Sequence, residues 1–470
     1  MMRKDILRVQ NFNMEYSTSL KLVDVSLCLM AGETVGFLGL DNSGKNLLVD
    51  ILCGKEGYFR GFIFVDGNRI IQMEDIHKYV YKISISNFLI ENWSVADYIC
   101  LLSESSAFGV YRRKDLIERA SLLIRKVGLD LDASKELKSL TELEKRLVDL
   151  VKAYSKGARI LVIEDNFEGC STDEISKFKA ALSKIMDDKM AAIINSYSAQ
   201  VLRILSDRYI IFKGGRIVKK CNKGYIRDNN HLEKFLLGST FTTRKKFLDS
   251  YKNEQNSSSD IIYSVRNMIL KKGKKRFDFY RGEVVTILDL DIYEEKHIFD
   301  MLSGRDIDKN MEIYLERAFC NFNDITDFVK HKIVSIGNLG GRDELLFQMS
   351  MGDNLLIPSL NKISSLRYVF SRHKILKVLE NEVQNNILES NYNICDMTTN
   401  DYIVLLLERW YICRPKVLIL FEPFFHCDIF SISLVKSYIK KFTGIGTTVI
   451  IVKSRKEYAE DISDRIISIR

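Results

Sequence analysis

Gly39-Leu40-Asp41-Asn42-Ser43-Gly44-Lys45-Asn46 fits the phosphate-binding pattern G-x-x-x-x-G-K-[ST] at every position but the last. The run before it, Thr34-Val35-Gly36-Phe37-Leu38, reads as a strand, and the run after it, Asn46-Leu47-Leu48-Val49-Asp50-Ile51-Leu52, reads as a helix. That context is what the pattern requires, because successive backbone N–H groups and a helix N-terminus together favour an anion. Gly39 and Gly44 permit the tight turn through Asp41, Asn42 and Ser43, and Lys45 is placed to reach terminal phosphates. The pattern calls for Ser or Thr at the last position, whose hydroxyl binds Mg²⁺, whereas Asn46 offers a neutral amide oxygen. The loop therefore points to a phosphate-bearing ligand and casts doubt on its hydrolysis.

At 470 residues and 46% hydrophobic content, the chain is long enough for two or more domains, each burying its own core. Six His and nine Cys are scattered without C-x-x-C pairs or H-x-x-x-H spacing, so neither a zinc site nor a disulfide framework is expected. The polar start Met1-Met2-Arg3-Lys4-Asp5, and the absence of any run of about 18 apolar residues, predict a cytoplasmic chain that does not span a membrane. The net charge of +8 arises from 70 basic and 62 acidic residues and lacks a concentrated basic face, so no nucleic-acid partner is expected. The densest basic cluster, Lys271-Lys272-Gly273-Lys274-Lys275-Arg276, reads as a solvated hairpin tip, with a phosphate-contacting patch as the alternative.

The sequence repeats itself. Gly32-Glu33-Thr34-Val35 recurs as Gly282-Glu283-Val284-Val285, and Leu52-Cys53-Gly54 recurs as Leu302-Ser303-Gly304. Ser94-Val95-Ala96-Asp97 aligns with Ser350-Met351-Gly352-Asp353, and Ser206-Asp207-Arg208 with Ser463-Asp464-Arg465. Each half also carries a buried-strand run, Arg159-Ile160-Leu161-Val162-Ile163 and Lys416-Val417-Leu418-Ile419-Leu420, as expected of a parallel sheet covered by helices. The chain thus reads as a duplicated α/β domain, divided at the polar stretch Lys252-Asn253-Glu254-Gln255-Asn256-Ser257-Ser258-Ser259. Between the glycine landmarks and the buried strand, segments such as 115–124 show helical patterning that suits a helical subdomain.

This order of elements resembles the ATP-binding cassette (ABC) family, and specifically the tandem ATPase subunits of ribose/galactose-type sugar importers. Lys152-Ala153 ahead of the second buried strand fits the family, and Arg414-Pro415-Lys416-Val417-Leu418-Ile419-Leu420-Phe421-Glu422-Pro423 is similar to its R-P-K-V-L-I-L-D-E-P. The resemblance covers nearly the whole chain. It implies α/β architecture with two tandem P-loop NTPase domains, 1–250 and 261–470, joined by a linker at 251–260. Each would have a mainly parallel sheet, an antiparallel edge and a helical subdomain. It further implies ATP and Mg²⁺ as ligands, a head-to-tail pseudo-dimer of the two halves, a membrane permease as partner and, through it, a sugar-binding protein. The subunit would sit on the inner face of the cell membrane.

The resemblance also allows each catalytic position to be compared. The signature L-S-G-G-Q corresponds to Leu140-Thr141-Glu142-Leu143-Glu144 and to Met397-Thr398-Thr399-Asn400-Asp401, where Leu143, Asn400 and the acids would obstruct a phosphate. Read without the family, Thr141 is a helix N-cap with Glu144 at its N3 position. The Asp-Glu pair that holds Mg²⁺ and polarises water becomes Glu164-Asp165, the two reversed in length; Glu164 could still meet metal, or simply mark the solvated end of its strand. The second half has Phe421-Glu422 there. The switch histidine becomes Tyr197 and Ser454, and the glutamine of the partner-linking loop falls near Ile85 or Asn87. Tyr16 matches the adenine-stacking aromatic, with plain packing as the alternative, and Asp428 is either an interface aspartate or a helix cap. Asp289-Leu290-Asp291-Ile292-Tyr293-Glu294-Glu295-Lys296, the second phosphate loop, retains no glycine and is acidic, so nucleotide is expected to be excluded there and Lys296 to be solvated. The expectation is an import subunit that binds ATP at the first loop, with a non-catalytic scaffold or regulator as the alternative.

Overall fold

The computed structural model describes residues 4–15, 21–84, 90, 92–100, 112–164, 167, 170–186, 189–225, 260–289, 292–339, 344–359, 364–365, 369–370, 397, 399–425 and 427–469. The chain divides into two compact units, Met1–Leu236 and Leu237–Arg470. Of the residues expected to link the halves, 251–260, all but Asp260 lie outside the described ones.

In the first unit, strands β1 (Asp5–Glu15), β2 (Lys21–Met30), β3 (Thr34–Leu38), β4 (Phe59–Val65), β5 (Asn68–Ile70), β6 (Val80–Ile83), β7 (Ile160–Glu164), β8 (Ala191–Asn195), β9 (Arg208–Lys213) and β10 (Arg216–Asn222) build two sheets. One is antiparallel, in the order β2-β1-β4-β5. The other runs β10-β9-β3-β8-β7-β6, parallel throughout except for the antiparallel pairing of β10 with β9. Helices α1 (Lys45–Leu52), α2 (Val95–Cys100), α3 (Arg113–Lys126), α4 (Glu142–Ser155), α5 (Thr172–Ile185) and α6 (Ala199–Leu205) accompany them. Every residue of β3 is buried, which is why it reads as an unbroken apolar run rather than an alternating one.

The second unit repeats this order with β11 (Ile261–Leu270), β12 (Gly273–Tyr280), β13 (Val284–Asp289), β14 (Glu312–Leu315), β15 (Ala318–Cys320), β16 (Ile333–Ile336), β17 (Ser364–Ser365), β18 (Val369–Phe370), β19 (Val417–Phe421), β20 (Thr448–Lys453) and β21 (Arg465–Ile469). Its helices are α7 (Ile292–Ser303), α8 (Ile325–Lys330), α9 (Met351–Leu356), α10 (Thr399–Cys413) and α11 (Ile429–Gly444). The antiparallel sheet is β12-β11-β14-β15 and the parallel one β16-β19-β20-β13-β21, matching β2-β1-β4-β5 and β6-β7-β8-β3-β9 strand for strand. Two-sided burial is explicit here: Leu418 and Leu420 belong to one core cluster, Val417 and Ile419 to another on the opposite face. The basic cluster at 271–276 is the tip of the β11–β12 hairpin, and all six residues are exposed.

The repeated sequence landmarks touch one another. Arg208 donates from Nε and Nη2 to both Glu33 oxygens at 3.0 and 2.7 Å, and from Nη2 to the Cys28 carbonyl at 2.6 Å. Glu33 also accepts from the Met30 amide, and Asp207 accepts from the Thr34 amide. In the second unit Arg465 donates to Glu283 and the Asp278 carbonyl, Glu283 accepts from the Tyr280 amide, and Asp464 from the Val284 amide. The Gly-Glu and Asp-Arg motifs thus lock the entry of the central strand to its neighbour, once per unit.

Candidate nucleotide site

Parallel register brings the carboxyl ends of three strands together: Phe37 of β3 lies beside Asn195 of β8, and Asn195 beside Glu164 of β7. Ligands of open α/β sheets bind at such ends. From there the chain passes through Gly39, a single 3₁₀ turn at Asp41–Ser43, and Gly44 into α1. Gly44 has φ of +91°, in the left-handed region that a side chain disfavours. A Cβ on Gly39 would lie 2.3 Å from Ser43 Oγ and 2.9 Å from the Phe212 carbonyl oxygen, so only glycine closes the turn. The Gly215 amide donates to the Ser43 carbonyl at 2.9 Å and pins the crest of the loop.

Lys45 is fully buried at the head of α1. Its Nζ donates to the Ser196 carbonyl at 3.1 Å and lies 3.7 Å from the centroid of the Tyr197 ring, a cation–π distance. The Tyr197 hydroxyl donates to Asp41 Oδ1 at 2.7 Å; Asn46 Nδ2 donates to the same Asp41 oxygen at 3.1 Å and to the Tyr197 hydroxyl at 2.7 Å. Asn195 Nδ2 completes the set by donating to Asn46 Oδ1 at 3.0 Å. Expected phosphate contacts Asp41, Lys45 and Asn46 therefore come together, but their side chains engage one another and Tyr197.

Glu164 pairs with Lys82 of β6 at 2.8 Å. With its carboxylate held by an ammonium and the Asn46 amide oxygen taken by Asn195, the two expected Mg²⁺ ligands do not form a metal-ready pair. Among the described residues no group of three or more His, Cys, Asp or Glu could hold a metal ion. The glycine turn and buried lysine suit phosphate; this donor set does not suit Mg²⁺. Tyr16 and Asp165, as well as Ile85 and Asn87, lie outside the described residues.

Thr141 is the N-cap of α4, its side chain accepting from the Glu144 amide at 3.2 Å while Glu144 accepts from the Thr141 amide at 2.7 Å. This is the capping box the sequence suggests. Lys135 pairs with Glu144, and Lys145 and Arg146 with Glu142. Burial raises the Glu144 carboxyl, but the Thr141 amide and Lys135 outweigh it and leave its pKa below the ordinary 4.5. A depressed carboxylate stabilises the fold fully above the unfolded value, and that stabilisation is lost as pH falls through the folded one. Glu144→Gln is thus expected to lower the urea midpoint at pH 7, with the gap from wild type closing below about pH 4.5. Thr141→Ala is expected to lower stability by about 1 kcal/mol in the same denaturation assay.

Residues 22–167 match the family described as "ABC transporter". The match lies within the first unit and runs from β2 to just past β7. Over nearly its whole length the chain is also similar to the ribose import ATP-binding protein RbsA of Clostridium perfringens (strain SM101 / Type A), 23% identical across 99% of this chain and 93% of that protein. It is 22% identical to the xylose import ATP-binding protein XylG of Thermoanaerobacter pseudethanolicus, across 100% of this chain and 95% of that one. The structure of cbiO1 from Clostridium perfringens aligns at 16% identity and a TM-score of 0.43, covering 51% of this chain and 97% of its own.

The two units repeat one α/β strand order, and the second departs furthest from the first at the position of the phosphate loop. Leu290 and Asp291 lie outside the described residues, but α7 opens with the buried carboxylates Glu294 and Glu295, and Lys296 is exposed. Glu295 stands in the register of Lys45. Glu294 accepts from the Lys271 amide at 2.7 Å, turning toward the hairpin. Buried Lys453 donates to the Glu457 carbonyl, and burial holds its pKa below the usual lysine range against the pull of Glu422. Glu422 in turn accepts from the amide and hydroxyl of Ser454. Asn400 accepts from Ser431, Asp428 caps α11, and Thr398 and His426 lie outside the described residues. Sequence reading missed Lys82, Asn195 and Ser196 as site neighbours; the polar run Asn195-Ser196-Tyr197 directly after an apolar strand was the available signal.

Proposed function

We propose that the chain is the ATP-binding subunit of an ABC-type sugar import system, holding ATP at the first loop with hydrolysis weak or lost. The observation that carries this reading is buried Lys45 at the head of α1, immediately behind left-handed Gly44. The similarity to ribose and xylose import ATP-binding proteins supports a permease as membrane partner, with a sugar-binding protein beyond it. No helix among the described residues is long and apolar enough to cross a membrane, so attachment to the inner face would come through the permease. The halves would pair as a pseudo-dimer, and Tyr16 would stack on the adenine. Asp165 would be a shortened and poorly placed partner for the attacking water.

A second reading, a non-catalytic scaffold or regulator of membrane partners, is favoured by the Lys82–Glu164 ion pair and the engaged Asn46. Calorimetric titration of the purified chain with ADP and with ATP, alongside Lys45→Ala, separates the two. The import-subunit reading expects Lys45→Ala to weaken binding roughly 10–100-fold, the equivalent of about 1.4–3 kcal/mol for a charge-assisted phosphate contact. Absence of binding, or binding indifferent to Lys45→Ala, leaves the scaffold.

A further inference from the structure

Asp41, Asn46 and Tyr197 close into a ring of hydrogen bonds against Lys45, and we propose that this ring is a latch competing with the terminal phosphate, so that the site takes a nucleoside diphosphate in preference to a triphosphate. The inference rests on nucleotide occupying the first loop. In loops of this type the backbone amides cradle the α- and β-phosphates, whereas the lysine reaches outward to the β- and γ-phosphates and the following residue serves the metal. The latch engages the outward set. The Tyr197 ring covers one side of the Lys45 ammonium at 3.7 Å, and the Ser196 carbonyl accepts a hydrogen bond from it at 3.1 Å. The Tyr197 hydroxyl and the Asn46 amide both converge on Asp41 Oδ1, at 2.7 and 3.1 Å.

Asp41 is therefore an internal anion presented to the mouth of the loop, where a γ-phosphate would arrive carrying charge of the same sign. A triphosphate must open three hydrogen bonds and move the aromatic ring to seat its γ-phosphate; a diphosphate, seated on the amides with its β-phosphate toward the lysine, need not. Apparent affinity falls by the fraction of molecules whose site is open, so the latch weighs on the triphosphate alone. Nothing in the phosphate-loop pattern requires these residues: Asp41 occupies one of its unspecified positions, and Tyr197 lies on the loop after β8, 156 residues away in sequence.

The test is calorimetric titration of the full chain with ADP and with the non-hydrolysable analogue AMP-PNP, for wild type, Tyr197→Phe, Asp41→Asn and Lys45→Ala. Tyr197→Phe keeps the ring and removes the hydroxyl; Asp41→Asn removes the charge at a partly exposed position and stands in if the first variant fails to fold. Wild type should bind ADP at least about tenfold tighter than AMP-PNP, and each latch variant should lower that preference about tenfold. A purely structural role would shift both ligands together. Should wild type bind both alike or prefer AMP-PNP, or the latch variants leave that ratio unchanged, the latch is wrong; a continued effect of Lys45→Ala would keep the nucleotide site intact. If no form binds either nucleotide, the latch and the reading of the loop fall together.

Discussion

Purified protein supplied with Mg²⁺ and ATP is expected to release phosphate at less than about 10⁻² s⁻¹, some 10³-fold below the roughly 10 s⁻¹ of a median enzyme. Three separate features lead to this. Asn46 lacks the hydroxyl for Mg²⁺, and its amide oxygen is already bonded to Asn195. Glu164 is neutralised by Lys82 at 2.8 Å. Thr141 spends its side chain on capping α4, and the Glu142 and Glu144 carboxylates flank it. Loss of one positioned donor or base typically costs on the order of 10²-fold, and such losses are not strictly additive. For that reason Asn46→Ser alone is not expected to restore turnover. A phosphate-release assay decides it, and wild-type turnover near 1 s⁻¹ would show that the substituted positions still suffice.

Replacing Arg208 with alanine is expected to destabilise the first unit by about 2–3 kcal/mol, and Arg465→Ala to do the same to the second. Each arginine bonds a buried glutamate and a backbone carbonyl, and each removal strands a buried carboxylate at the start of the central parallel strand. The full bonus of a buried pair is discounted because Arg208 and Arg465 are partly exposed, at 22% and 38%. Urea denaturation followed by proteolytic mapping should show each variant weakening its own unit. A common shift in both units from either variant would mean that the halves unfold as one cooperative body.

Much of the fold is visible in the sequence because it depends on neighbours along the chain. The strand before Gly39, the helix after Gly44, the Thr141–Glu144 capping box and the hairpin tip at 271–276 all follow from local spacing, and the structure has each of them. The duplication is visible as well, since Glu33 and Arg208 recur as Glu283 and Arg465, although only the structure shows that these residues are partners. The state of the site is a different matter. Tyr197 meets Asp41 across 156 residues, and Lys82 reaches Glu164 across adjacent parallel strands; both contacts depend on side-chain direction at strand ends, which no local pattern encodes. The same holds for Lys453, whose burial beside Glu422 follows from the packing of β20 and not from its own sequence neighbourhood.

Nucleotide stoichiometry separates a chain with one surviving loop from a chain with two or none. Titration of the intact protein with ADP should saturate at one nucleotide per chain, and Lys45→Ala should weaken that event roughly 10–100-fold. Glu295→Ala, in the matching register of the second unit, should leave the stoichiometry at one. Saturation at two nucleotides per chain, or a single event untouched by Lys45→Ala, would contradict the assignment of the first loop as the nucleotide site.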